Sequence, residues 1–149
     1  MIIEKCKDIK ALVAFDHEVF PIDEEADAYV ASVASQDLSV EIHDENGKIL
    51  GYYILGAGQI IDAVEESCWR ENLSRYTDKK GVEGVSVWLD PSLRGIGIGK
   101  TLIEYPKSLG FDYIWGWAAK DLGNLKDWLK RRRLVAEDED SYVTLEDYK

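Results

Sequence analysis

The chain has 149 residues, 46% of them apolar and 32% charged, and carries a net charge of −11. That length fits one domain spanning residues 1–149, with a core that needs no disulfide or metal, and the balance excludes wholesale disorder. No apolar run approaches the ~20 residues of a membrane span, the first eight residues lack an apolar leader, and Cys6 and Cys68 are too few for a disulfide framework, so the chain reads as a cytoplasmic protein with two free thiols.

Asp8 caps a first predicted helix, in which Ile9, Leu12, Val13 and Val19 recur at helical spacing. Phe20-Pro21 ends it. Asp23 caps a second helix, with Ala26, Tyr29, Val30, Val33 and Ala34 on one face. Leu38, Val40 and Ile42 alternate as a half-buried strand. Asp44-Glu45-Asn46-Gly47-Lys48 is a turn, because Asn-Gly tolerates positive φ, and Ile49 to Leu55 returns as the partner strand. Between Gly56 and Gly81, the residues Ile61, Val64, Cys68 and Trp69 point to a helix inside a long connection, of the kind that forms binding elements or lids. Glu83 to Leu89 alternates as a strand and runs into a glycine-rich turn. A short helix follows from Lys100 to Tyr105 and stops or kinks at Pro106. Phe111, Tyr113, Trp115 and Trp117 alternate on the next strand. A helix with Leu122, Leu125 and Leu129 inward comes next, and Tyr142 to Leu145 closes the chain as a strand. The order β, α, α, β, β, (α), β, α, β, α, β describes an α/β domain with helices packed on a mixed sheet.

Charge is unevenly distributed. Residues 1–50 hold 4 basic and 12 acidic side chains, and residues 91–134 hold 9 basic and 4 acidic. Either this is scattered solvated charge, or ligands of opposite sign meet the two segments. The negative total disfavours nucleic acid and anionic membrane and favours cationic partners. His17 and His43 have no metal-ligand spacing, and no metal is expected.

The informative segment runs from Leu89 to Thr101. A strand leads in, a helix leads out, and the glycines bring backbone amides close to a ligand at a helix N-terminus, which suits phosphate oxygens. A nucleotide P-loop ending at Gly99-Lys100-Thr101 needs glycine at position 94, which is Arg94. A dinucleotide fingerprint from Gly95 needs glycine where Lys100 stands, and from Gly97 where Leu102 stands. What remains is Arg-x-x-Gly-x-Gly, from Arg94 through Gly97 to Gly99, after Val87-Trp88-Leu89-Asp90-Pro91.

This pattern resembles the acetyl-CoA loop of the GNAT superfamily of N-acetyltransferases, with Leu89, Pro91, Arg94, Gly95, Gly97 and Gly99 at the family's positions. The resemblance implies a single-domain, splayed central sheet flanked by helices. It implies acetyl-CoA as co-substrate and direct transfer of acetyl to a primary amine in a ternary complex. By it, the amides of Arg94, Gly95, Ile96, Gly97, Ile98, Gly99 and Lys100 hold the pyrophosphate. Val87, Trp88 and Leu89 pair with the pantetheine arm, and an amide near Leu89 polarises the thioester carbonyl. Asn124 matches an asparagine that contacts the cofactor arm, or else caps its helix. Glu83, at the head of the strand, matches a glutamate that takes the amine's proton, or else is a solvated strand end. The family's helix tyrosine, which protonates the leaving thiolate, has no counterpart here; Trp128 stands nearby, and Tyr142 or water is left for that role. The Gly-Phe after that helix is also absent, with Arg133-Leu134 near its place. The missing tyrosine supports the alternative of a non-catalytic CoA-binding or protein-interaction module; a third reading keeps the fold and transfers another group, and the acidity speaks against it. Lys130-Arg131-Arg132-Arg133 resembles a nucleic-acid patch, but beside Glu137-Asp138-Glu139-Asp140 it reads as a solvated helix end or one that touches the CoA 3′-phosphate. Trp115 and Trp117 are core, or with Trp69 and Trp88 line an acceptor pocket. The first two helices and the Gly56–Gly81 connection would frame that pocket, and their acidity favours a cationic acceptor. Homodimerisation stays open.

Overall fold

The computed structural model describes residues 1–21, 24–123 and 125–148. The expected cap Asp23, the cofactor candidate Asn124 and the side chain of Ala26 lie outside the described residues. The strands are β1 (Ile2–Lys5), β2 (Val40–His43), β3 (Ile49–Ala57), β4 (Gly81–Leu89), β5 (Tyr113–Ala119), β6 (Arg133–Glu137) and β7 (Ser141–Asp147). The helices are α1 (Ile9–Val19), α2 (Glu24–Ala34), α3 (Ile60–Ala63), α4 (Ile98–Ser108) and α5 (Leu125–Leu129), with 3₁₀ turns at Glu66–Cys68, Ser74–Tyr76 and Pro91–Leu93. The strands form one seven-stranded mixed sheet in the order β1-β2-β3-β4-β5-β7-β6. β1, β2 and β3 pair antiparallel, as do β5, β7 and β6. β4 pairs parallel with β5 from Gly81 opposite Tyr113 to Glu83 opposite Trp115, and then runs on to Leu89. Among the described residues no helix is long and apolar enough to cross a membrane.

Local chemistry sets these elements. Asp8 caps α1, its Oδ1 accepting from Ala11 N at 3.0 Å. In the β2–β3 turn, Asp44 Oδ1 accepts from the amides of Asn46 and Lys48, both at 2.9 Å, while Gly47 takes φ +83°.

The chain divides into two compact units. The first comprises Met1–Gly56 and Gly84–Tyr105, and its core gathers Leu12 of α1, Val30, Val33 and Ala34 of α2, and Tyr52 and Ile54 of β3. The second comprises Ala57–Glu83 and Pro106–Lys149. Its core joins Ile60, Val64, Leu73 and Tyr76 of the long connection to Tyr113, Trp115, Val135, Ala136, Val143 and Leu145 of β5, β6 and β7. The connection therefore supplies a layer of the second unit's core.

Three expectations need correction. Pro106 does not stop its helix: α4 continues to Ser108. The proline lacks one amide near the helix end, and its own carbonyl closes the exit by accepting from Leu109 N at 3.1 Å and Phe111 N at 3.3 Å. Leu122 and Leu129 do not point inward; each is 38% exposed, because α5 is only five residues long and Leu122 precedes it. The sequence reading also misses β6. A register shift between Leu134 and Ala136 leaves Val135 and Ala136 both buried, which erases the alternation that marks a strand.

Candidate functional site

The turn from β4 to α4 lies wholly in the first unit. Asp90 starts it. Its N donates to Leu50 O at 2.8 Å, and its Oδ1 accepts from Ser92 N at 2.9 Å and Ser92 Oγ at 2.6 Å. The Ser92 hydroxyl and then its amide hold the Asp90 carboxyl below the usual carboxylate range. Pro91 begins the 3₁₀ turn, where a missing amide costs nothing. Arg94 is exposed, and its side chain folds back so that Nε donates to Leu89 O at 2.9 Å. The guanidinium is thereby anchored at the end of β4.

Gly95 and Gly97 then adopt φ +81° and +85°, the left-handed region that other residues enter at a cost. Neither glycine has an atom within 4 Å of where a Cβ would sit, so backbone conformation and not crowding demands them. Gly99 differs. It has ordinary φ, and a Cβ there would make a normal 3.7 Å contact with Leu89 Cδ2. Gly97 O accepts from Thr101 N and from Thr101 Oγ1, each at 3.4 Å, which opens α4.

These two reversals bring the backbone N–H groups of Gly95, Ile96, Gly97, Ile98, Gly99 and Lys100 together in the turn at the head of α4. The run is wet: Ile96 is 65% exposed, and Gly95, Gly97 and Lys100 are exposed. It stands at the N-terminus of an eleven-residue helix, where the backbone dipoles end positive. Backbone N–H groups at a helix N-terminus suit an anion with several oxygens.

The sequence-derived candidates thus divide. Val87, Trp88 and Leu89 end β4 beside the turn, and Arg94 to Lys100 form it, all in the first unit. Glu83 is half-buried on β4 opposite Trp115 and belongs to the second unit. The tryptophans divide as well. Trp88 packs on the first core, whereas Trp115 is 1% exposed in the second core with Nε1 donating to Gly58 O at 2.9 Å, and Trp69 packs against that same core. The basic run is largely neutralised. Arg131 pairs with Glu146 at 3.1 Å, Arg133 with Glu71 at 2.7 Å and Asp147 at 3.0 Å, and Lys130 with Asp127 at 3.3 Å. Tyr142 lies on β7 beneath Lys120, whose ammonium sits 5.3 Å from the ring centre.

The chain resembles solved structures along nearly its whole length. One is a mosquito arylalkylamine N-acetyltransferase-like protein, with 17% identity, 98% of this chain and 99% of that one covered, and a TM-score of 0.65. Another is the Drosophila melanogaster polyamine N-acetyltransferase, with 12% identity, coverage of 98% and 99%, and a TM-score of 0.64. This is the GNAT fold. Naa50 of Arabidopsis thaliana, solved with a bisubstrate analogue containing CoA, shares it at 14% identity, 99% and 98% coverage and a TM-score of 0.62. No family model matches the chain, and no curated protein matches it in sequence. At these identities the GNAT likeness is one of fold, and the chemistry rests on the residues themselves.

Proposed function

We propose that this chain is an acetyl-CoA-dependent N-acetyltransferase that acts on a cationic amine in a ternary complex. The supporting observation is the exposed turn from Gly95 to Lys100 at the head of α4, with Gly95 and Gly97 at positive φ. In this reading the amides of that turn hold the pyrophosphate, with Lys100 and the outer face of Arg94 adding positive charge. The backbone of Val87, Trp88 and Leu89 lies along the pantetheine arm, and Asn124 contacts it. Acetyl-CoA supplies the activated acyl group. Glu83 accepts the proton that the attacking amine loses, which keeps the nitrogen lone pair available. The acidity of residues 1–50 draws cationic acceptors, and the GNAT structures named for arylalkylamine and polyamine acceptors share this architecture. The protein works in the cytoplasm.

Isothermal titration with acetyl-CoA tests the cofactor half: micromolar binding is expected, and no heat at high micromolar ligand refutes it. Arg94→Glu sets a negative charge beside the pyrophosphate and weakens that binding by about tenfold or more; unchanged affinity removes Arg94 from the site. The absence of a tyrosine from α5 favours a second reading, a CoA-binding module without turnover. Thiol release across a panel of amines separates the two readings.

A further inference from the structure

The second unit contains a cavity that the transferase reading leaves unused. Its volume is about 580 Å³, inside the range of small-molecule sites, roughly 300–1,000 Å³. Its lining comes from the two ends of the connection between β3 and β4 and from Phe111 ahead of β5, all within the second unit.

Hydrogen bonds to the main chain fix these walls. Gln59 Oε1 accepts from Gly81 N at 2.7 Å, and Gln59 Nε2 donates to Lys79 O, so one side chain ties the two ends of the connection together. Gly58 N adds a bond to Gly81 O at 3.2 Å. The Asp112 carboxylate accepts from Lys80 N at 2.8 Å, and Asp112 N donates to Lys80 O at 2.7 Å. The backbone from Lys79 to Gly81 is thereby held along its length, and the cavity is preformed.

Four charged side chains line it: Asp62, Asp78, Lys79 and Lys80. The lysines rest on rings. Lys79 Nζ stands 5.3 Å from the centre of the Tyr76 ring, and Lys80 Nζ stands 4.6 Å from that of Phe111. Among the described residues no ion pair joins either lysine to Asp62 or Asp78. An ammonium seated on a ring still has protons to give an anion. The charges number two of each sign. A ligand of one sign therefore meets repulsion along with attraction, whereas a ligand that carries both finds a partner for each.

We infer that this cavity binds a small zwitterion of the amino-acid or dipeptide class, its ammonium on Asp62 and Asp78 and its carboxylate on Lys79 and Lys80. The inference stands on the second unit alone and does not depend on the transferase reading. Asp62, Asp78 and Lys80 are exposed and Lys79 is half-buried, so each contact is screened by water and the affinity is modest, with a Kd of about 1 mM or somewhat below.

The test is a chemical-shift titration of the full chain at neutral pH, without CoA, using probes that share one side chain. Leucine and leucyl-leucine carry both charges, leucine methyl ester keeps only the ammonium, and N-acetylleucine keeps only the carboxylate. At least one zwitterion shifts the amides of Gly58, Gly81 and Phe111 saturably, and both single-charge probes bind more than about threefold more weakly. Saturation by leucine alone points to a free amino acid, and saturation by leucyl-leucine alone to a dipeptide. Asp62→Asn and Lys80→Gln each weaken the bound zwitterion by about three- to fivefold, with a melting temperature like that of the wild type because both side chains are exposed. No saturation by either zwitterion up to ~10 mM overturns the inference. So does a single-charge probe that binds within about threefold of the zwitterion, and so does unchanged zwitterion affinity in either variant.

Discussion

Replacing Gly97 by alanine separates backbone conformation from mere small size. At φ +85°, with open space where the Cβ would go, the new methyl meets no neighbour, and the penalty comes from the left-handed conformation alone. That penalty is ~1–2 kcal/mol. At ~1.4 kcal/mol per decade it corresponds to roughly a five- to thirty-fold effect. If the turn keeps its shape, stability falls by that amount; if it relaxes, the amide run scatters and acetyl-CoA affinity falls instead. Urea unfolding and calorimetry, read together, capture the sum. Gly99→Ala is the control: its φ is ordinary, its Cβ contact at 3.7 Å is unstrained, and it lies inside α4. Alanine there gains up to ~1 kcal/mol of helix propensity, so the two variants move stability in opposite directions. A Gly97→Ala protein with wild-type stability and wild-type affinity would refute the argument that this glycine fixes the cradle.

Other perturbations have defined signs. The Glu4 carboxylate hydrogen-bonds to His43 at 2.8 Å and raises the pKa of the imidazole above its ordinary 6.5, while the same bond lowers that of Glu4. The histidine contribution is complete below pH ~6.5 and fades as pH rises through the raised value; the glutamate contribution fades as pH falls through the lowered one. His43→Gln should therefore flatten the decline in melting temperature from pH 6 to pH 8, and an unchanged slope rules the pair out. Tyr76→Phe removes a fully buried hydroxyl that donates to Asp147 at 2.8 Å and accepts from Arg133 at 2.7 Å. Since Arg133 and Asp147 also bond each other, a cost of ~1–2 kcal/mol in urea unfolding is expected, and none would show the network to be idle. Glu83→Gln should abolish the acid limb of the pH–rate profile, and its persistence clears Glu83 as the base.

What could be read from sequence follows the physics of each signal. Gly95 and Gly97 announce a turn because positive φ demands them, but Gly99 matches the same pattern without that demand. Composition cannot tell a required glycine from a tolerated one. Arg94 is legible as a cation in a glycine-rich turn, whereas its fold-back onto Leu89 O depends on tertiary geometry. Asp16 left a trace, an acid on the apolar stripe of α1, but its partners Tyr52 and Ser86 lie 36 and 70 residues away. β6 stayed hidden because its bulge breaks the alternation, and α5 was over-read because leucine spacing alone does not set helix length.

The connection between β3 and β4 cannot behave as a flap. Ile60, Leu73 and Tyr76 are fully buried and Val64 is 3% exposed. At ~1.5–3 kcal/mol for each large apolar side chain, lifting four of them into water costs roughly 6–12 kcal/mol, comparable to the stability of a whole domain. Its internal amides, such as Val64 N on Ile60 O and Tyr76 N on Leu73 O, should therefore exchange hydrogen for deuterium on the slow timescale of global unfolding, alongside the strands it covers.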